Sequence, residues 1–208
     1  MKFGIIKERK NPPDRRVVFT PEELVRLQSE HPEAEIKVES SDIRIFSDDQ
    51  YLNLGLNVTT DMSDCDVLFG VKEVPVDALI PNKKYFFFSH TIKKQPYNRK
   101  LLKAILEKNI ELYDHETIVD ATNHRLIGFG RYAGLVGAYN GFRGFGIKYD
   151  LFTLPKAETL SGKEDLIARL KRQTLPNIKI VLTGHGKVGM GAKEILDGIK
   201  IKQVSVED

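Results

Sequence analysis

The stretch Ile178-Lys179-Ile180-Val181-Leu182-Thr183-Gly184-His185-Gly186-Lys187-Val188-Gly189 frames the reading of the whole chain. Its first six residues are strand-like, and they run straight into a G-x-G-x-x-G loop. Beyond the loop, Val188, Ala192, Ile195, Leu196 and Ile199 share one helical face, and Ile201–Val206 is strand-like again. Strand, glycine loop, helix, strand is the context in which this pattern implies a dinucleotide site. Gly184 permits a tight turn, Gly186 lets backbone approach a pyrophosphate, and Gly189 lets the helix lie close to the sheet. The N–H groups at the head of the helix, with its dipole, attract phosphates. Gly184, Gly186, Lys187, Val188 and Gly189 are therefore the candidate contacts of a dinucleotide, expected to be NAD or NADP. The acid expected on the ribose, roughly twenty residues on, falls near Glu207 and Asp208 and does not choose between the two. His185 lies inside the loop, where it can face the cofactor.

Upstream of the loop, strands and helices alternate. Phe3–Ile6, Glu35–Val38, Cys65–Phe69 and Ile110–Tyr113 are strand-like, and the aromatic run Tyr85–Ser89 suits a strand buried on both faces of a parallel sheet. Thr20-Pro21-Glu22-Glu23 opens a helix with a capping box. Asn98–Asn109 places Leu101, Leu102, Ile105 and Leu106 on one apolar stripe. This order predicts an α/β chain: a Rossmann-like, mainly parallel substrate domain over residues 1–130, then the start of a Rossmann dinucleotide-binding domain over 176–208. Residues 131–175 read as a connecting helix and linker. Glycines punctuate Arg131–Tyr149, which fits either a closely packed helix or a broken hinge, and a helix ending near Gly144 is the favoured reading. Leu154–Ala157 reads as linker, and Ser161-Gly162-Lys163-Glu164 as a second capping box. A whole Rossmann domain needs further strands, so this chain alone is expected to bind cofactor poorly and to turn over slowly or not at all.

Composition sets the outer bounds. With 41% hydrophobic and 29% charged residues, the chain reads as a soluble globular protein and not a disordered one. The net charge of +3 is small and the basic residues are scattered, which argues against nucleic acid as a partner. No apolar stretch reaches membrane-spanning length. A single cysteine, Cys65, excludes an internal disulfide and suits a reducing cytoplasm. No His/Cys pair has zinc-ligand spacing, so no metal is expected. A homo-oligomer is compatible with all of this.

Several polar residues sit where chemistry is usually done, at the carboxyl ends of strands. Arg15 and Arg16 precede a helix start, where arginine grips carboxylates bidentately. Lys72 follows the Cys65–Phe69 strand, where burial can lower its pKa. His90 follows the aromatic strand and suits proton transfer. For each, the plain alternative is a structural or surface residue. His31 and His124 have no such setting. The run Asp114-His115-Glu116-Thr117 offers three polar candidates, and pattern alone does not choose between them.

The combination Arg15–Pro21, Gly70-Val71-Lys72-Glu73-Val74-Pro75, Phe86–Lys93 with His90 in it, and Phe129-Gly130-Arg131-Tyr132-Ala133-Gly134, followed by the glycine loop, resembles the alanine dehydrogenase and saccharopine dehydrogenase (lysine-forming) superfamily, most of all its lysine–ketoglutarate reductase domains. The resemblance covers essentially the whole chain and the N-terminal half of a typical member. It implies an NAD(P)-dependent oxidoreductase interconverting saccharopine with lysine and 2-oxoglutarate, with amino-acid and oxo-acid partners. Within it, Lys72 and His90 match the acid–base pair, and Arg16 matches the arginine on a substrate carboxylate. Glu116 matches the carboxylate that tunes the lysine; beside Lys72 it would favour the ammonium, opposing burial. Arg131 is a further substrate-binding candidate, at a position where some relatives carry an uncharged residue. An alanine-dehydrogenase-like enzyme and a non-catalytic ligand-binding domain are the alternatives.

Overall fold

The computed structural model describes residues 1–204, and the chain divides into two compact units, Met1–Gly128 and a second from Phe129 onward. The first unit is built on six strands: β1 Lys2–Ile5, β2 Glu35–Glu39, β3 Asn57–Thr59, β4 Val67–Phe69, β5 Lys84–Phe87 and β6 Glu111–Asp114. They form one sheet in the order β3-β2-β1-β4-β5-β6, with every ladder parallel. β1 is central, and Phe3 lies opposite both Ile36 and Val67. The order reverses direction between β1 and β4, so the crevice beyond their carboxyl ends is the place where such sheets receive ligands.

Helices pack on both faces because the sheet contributes apolar side chains to a cluster on each. α1, Pro21–Glu30, begins with the expected capping box between Thr20 and Glu23, and its Leu24 is buried with Ile5, Ile36 and Val38 on one face. α2, Asp48–Leu52, adds Tyr51 to that cluster. α3, Arg99–Glu107, closes the other face over Leu68, Tyr85 and Phe87. The central Gly4 belongs to this packing: a Cβ there would stand 2.7 Å from Leu68 and 2.9 Å from Met62.

Two expectations in this unit need correction. The stripe of α3 is Leu101, Ala104 and Ile105, whereas Leu102 and Leu106 are exposed. The small Ala104 belongs to the i, i+3, i+4 row that meets the sheet, and the larger leucines fall one position off it. The aromatic run is not buried equally on both faces. Tyr85 and Phe87 are fully enclosed, but Phe86 is half-buried, stacked between Phe69 at 4.7 Å and Tyr113 at 4.6 Å.

The second unit packs α4 Gly130–Lys148, α5 Lys163–Lys171 and α6 Lys187–Gly198 around Leu135, Tyr139, Phe142, Leu166, Leu170 and Ile195. α4 does not end near Gly144; it runs unbroken to Lys148. Its glycine cost is met by close approach at Gly134, where a Cβ would lie 2.0 Å from the Val188 carbonyl oxygen of α6. Leu154–Ala157 is no loose linker. Leu154 is buried, and Arg143 and Tyr139 donate to the Leu154 and Pro155 carbonyls at 3.0 and 2.9 Å. The second capping box does not form. Gly162 takes the N-cap, and the Ser161 hydroxyl donates to Asp165 instead.

Ile178–Thr183 was expected as a strand and is not one, and residues 201–204 carry no strand either. A strand exists only against a partner, and among the described residues the second unit offers none. The remainder of the expected Ile201–Val206 strand, with Glu207 and Asp208, lies outside the described residues. Among the described residues no helix is long and apolar enough to cross a membrane.

Candidate functional site

The parallel sheet delivers polar groups to one edge, and the tightest gathering is at the switch point. Glu8, just past β1, is buried and accepts from the consecutive backbone N–H groups of Val71 and Lys72, at 2.7 and 2.9 Å. Burial pushes the Glu8 carboxyl up from its ordinary value, and the two N–H groups pull it back. Lys72 follows β4 directly. Its own burial, then the positive charges of Arg16 and Lys10, hold it below the usual lysine value of 10.5, against the pull of Glu73 and Asp14. Arg16 is held in orientation by Asp14, whose Oδ1 accepts from its Nε at 2.9 Å. That bond keeps the Asp14 carboxyl below its usual range and raises Arg16. Asp14, Arg16 and Lys72 thus feel one another's charge.

Glu73 extends the group toward β5. Its carboxylate stands 3.6 Å from Lys10 and 3.7 Å from His90 Nδ1. His90 takes a left-handed backbone, φ 58°, in a turn stitched by the Ser89 hydroxyl, which donates to Asp114 and accepts from Thr91 N–H. Its Nδ1 lies 3.3 Å from the Phe88 carbonyl. A carbonyl only accepts, so Nδ1 carries the proton in that contact and Nε2 is the basic nitrogen. Beyond β6, His115 is buried with Nε2 3.1 Å from the Gly70 carbonyl, so Nε2 is protonated there, and burial lowers its pKa.

The sequence-derived candidates separate into three groups. Arg16, Lys72 and His90 are linked through Asp14 and Glu73. Glu116 is buried, but its Oε1 meets Lys93 at 3.2 Å and Arg125 at 3.4 Å. Among carboxylates, Glu73 and then Asp14 act most strongly on Lys72. Glu116 thus meets two other cations through Oε1, while its buried Oε2 has no hydrogen-bond partner among the described residues, and its tuning of Lys72 stands as a proposal. Arg131 belongs to the second unit, where it forks onto Glu194 of α6 at 2.6 and 2.7 Å. Reading the sequence missed Glu8, Asp14 and Glu73. Glu73 adjoins Lys72 and could have been singled out, but no spacing rule marks the other two.

The glycine loop can be tested for fit to a dinucleotide. Gly184 has φ +87°, the turn geometry that glycine allows, and around Gly186 no atom comes within 4 Å of where a Cβ would stand. The first turn of α6 carries no acidic residue and no side-chain cap. Its N–H groups, with Lys187 beside them, suit a pyrophosphate. Gly189 allows a close approach of α6 to the segment before it. A Cβ there would meet the Gly184 carbonyl oxygen at 2.3 Å, so it closes the loop on itself.

Fold and site together define a class: an all-parallel α/β domain with ionisable groups at its switch point, followed by a glycine loop heading a helix. The chain belongs to the alanine dehydrogenase/PNT family, since residues 4–136 match its N-terminal domain. Alpha-aminoadipic semialdehyde synthase of Arabidopsis thaliana is 31% identical over 214 residues, covering 92% of this chain and 20% of that protein. Saccharopine dehydrogenase [NAD(+), L-lysine-forming] of Yarrowia lipolytica is 26% identical, covering 83% of this chain and 51% of that one. The chain thus spans about a fifth and about half of these relatives. A solved L-alanine dehydrogenase shares the fold, with a TM-score of 0.68 and 19% identity over 100% of this chain and 56% of its own.

Proposed function

We propose that this chain forms the substrate domain, and begins the cofactor domain, of an NAD(P)-dependent oxidoreductase interconverting saccharopine with lysine and 2-oxoglutarate. The observation that carries the proposal is a lysine held below its ordinary pKa at the switch point, beside an arginine and joined through Glu73 to a histidine. Condensation of an amine with a 2-oxo acid needs a proton taken from nitrogen and one given to the departing oxygen. Lys72 is depressed toward that task, and His90 presents a basic Nε2. Arg16, oriented by Asp14, is suited to a substrate carboxylate. The nicotinamide cofactor, NAD or NADP, supplies or accepts hydride, and Gly184, Gly186, Lys187, Val188 and Gly189 would hold its pyrophosphate end. The buried Cys65 suits a reducing compartment such as the cytoplasm.

The test is NAD(P)H oxidation by the full-length protein, with lysine plus 2-oxoglutarate in one assay and pyruvate plus ammonia in another. Turnover in the first alone supports the proposal. Turnover in the second alone makes this an alanine-dehydrogenase-like enzyme. Amino-acid binding without turnover in either makes it a ligand-binding domain.

A further inference from the structure

We infer that Glu8 and His115 are positioning residues for Lys72: between them they clamp the Gly70–Lys72 backbone at the switch point, and so set the burial and charge surroundings of the lysine. The inference rests on Lys72 being the working base of the proposed function.

The clamp uses groups from both sides of the lysine loop. From β1, Glu8 gives one carboxylate oxygen to Val71 N–H and the other to Lys72 N–H. From β6, two strands away from β4, His115 donates Nε2–H to the Gly70 carbonyl at 3.1 Å. The sheet supplies the rest, since Gly70 N–H donates to the Phe86 carbonyl at 2.8 Å and Phe88 N–H to the Val71 carbonyl at 3.0 Å. Every backbone polar group from Gly70 N to Lys72 N therefore has a partner. Both clamp side chains are more than nine-tenths buried, Glu8 at 7% exposure and His115 at 5%. Burying a carboxylate is costly unless it is hydrogen-bonded, and here each Glu8 oxygen accepts from one of these two amides. The requirement at Glu8 is specific, because a glutamine would offer one acceptor and turn a donor toward the second N–H. The His115 ring cannot pivot freely either, as Phe88 stands edge-on to it at 5.2 Å.

The experiment needs no substrate. In the full-length protein, acetic anhydride labelling of Lys72 is followed by peptide mass spectrometry across pH, for wild type, Glu8→Gln and His115→Phe. The expected result is a labelling midpoint that moves up toward 10.5 in both variants as the lysine loses its fixed burial. Simple loss of the Glu8 charge would move it down. An unchanged or lowered midpoint in folded Glu8→Gln overturns the inference. Should Glu8→Gln fail to fold, His115→Phe is read by the same rule. Where wild type turns over, kcat is expected to fall about tenfold to a hundredfold in Glu8→Gln with KM within about threefold, since small misplacement costs chemistry more than binding. A kcat as in wild type also overturns the clamp. Absence of wild-type turnover would count against the proposed function and leave the labelling result standing.

Discussion

Lys72 lies under opposed pressures: burial, Arg16 and Lys10 favour its neutral form, while Glu73 and Asp14 favour the ammonium. The net depression has a consequence for stability. Between the lowered folded pKa and 10.5 the unfolded chain binds more protons, so wild-type stability rises with pH across that window. Lys72→Met removes this slope. It is expected to be more stable than wild type near neutrality, and the advantage should shrink as pH climbs through the folded pKa toward 10.5, as measured by denaturant unfolding at several pH values. A constant advantage would show that the lysine is not depressed. The same variant, and His90→Gln, are expected to cut turnover of the full-length enzyme by about 10²–10⁴-fold, checked by steady-state rates; unchanged turnover in both would remove these residues from the mechanism. Arg16, Lys72 and His90 were legible because arginine, lysine and histidine at strand ends are conspicuous. Glu8 and Asp14 were not, because their significance depends on which backbone or side chain faces them after folding. The contacts of Glu116 with Lys93 and Arg125 were not legible either, because they too form only after folding.

Glycines in α4 differ sharply in what surrounds them. At Gly134 a Cβ would strike the α6 backbone, whereas at Gly137 it would meet nothing within 4 Å. Gly134→Ala is expected to destabilise the chain by about 1–3 kcal/mol through overpacking. Gly137→Ala should stabilise it by about 1 kcal/mol through helix propensity alone. Thermal unfolding of the pair checks both signs, and equal effects would contradict the close crossing of α4 and α6. Thr20→Ala, which deletes the capping side chain of α1, should cost about 1 kcal/mol by the same measurement. Elements whose signals are local were readable from the sequence: the cap at Thr20, the strands β1, β2 and β6, and the glycine loop. Those that depend on a distant partner were not. β3 is three residues of weak pattern made a strand by β2, and Ile178–Thr183 has the pattern with no strand partner among the described residues. The length of α4 was misjudged because glycine spacing shows the cost of a helix and not the neighbour that offsets it.

At the scale of the molecule, the α/β class followed from the alternation of elements, and the strand order did not, since sequence pattern carries no record of which strand lies beside which. Each unit has its own apolar packing, the first around Leu68 and Tyr85 on one face of the sheet and Leu24 and Val38 on the other, the second around Tyr139 and Ile195. Denaturation followed by hydrogen exchange is expected to show two separate unfolding units with a boundary near residue 128; a single coincident loss of protection would refute that independence. The sheet also has a consequence for biosynthesis. β1 is translated first yet lies at the centre, and Phe3 must wait for Val67 before its second edge is filled. At about 5–20 residues per second, that interval is roughly 3–13 s on the ribosome. Through it, the nascent β1–β2 pair presents an unfilled parallel edge, a strand-shaped vacancy to which holdase chaperones or a neighbouring nascent chain can attach before β4 arrives.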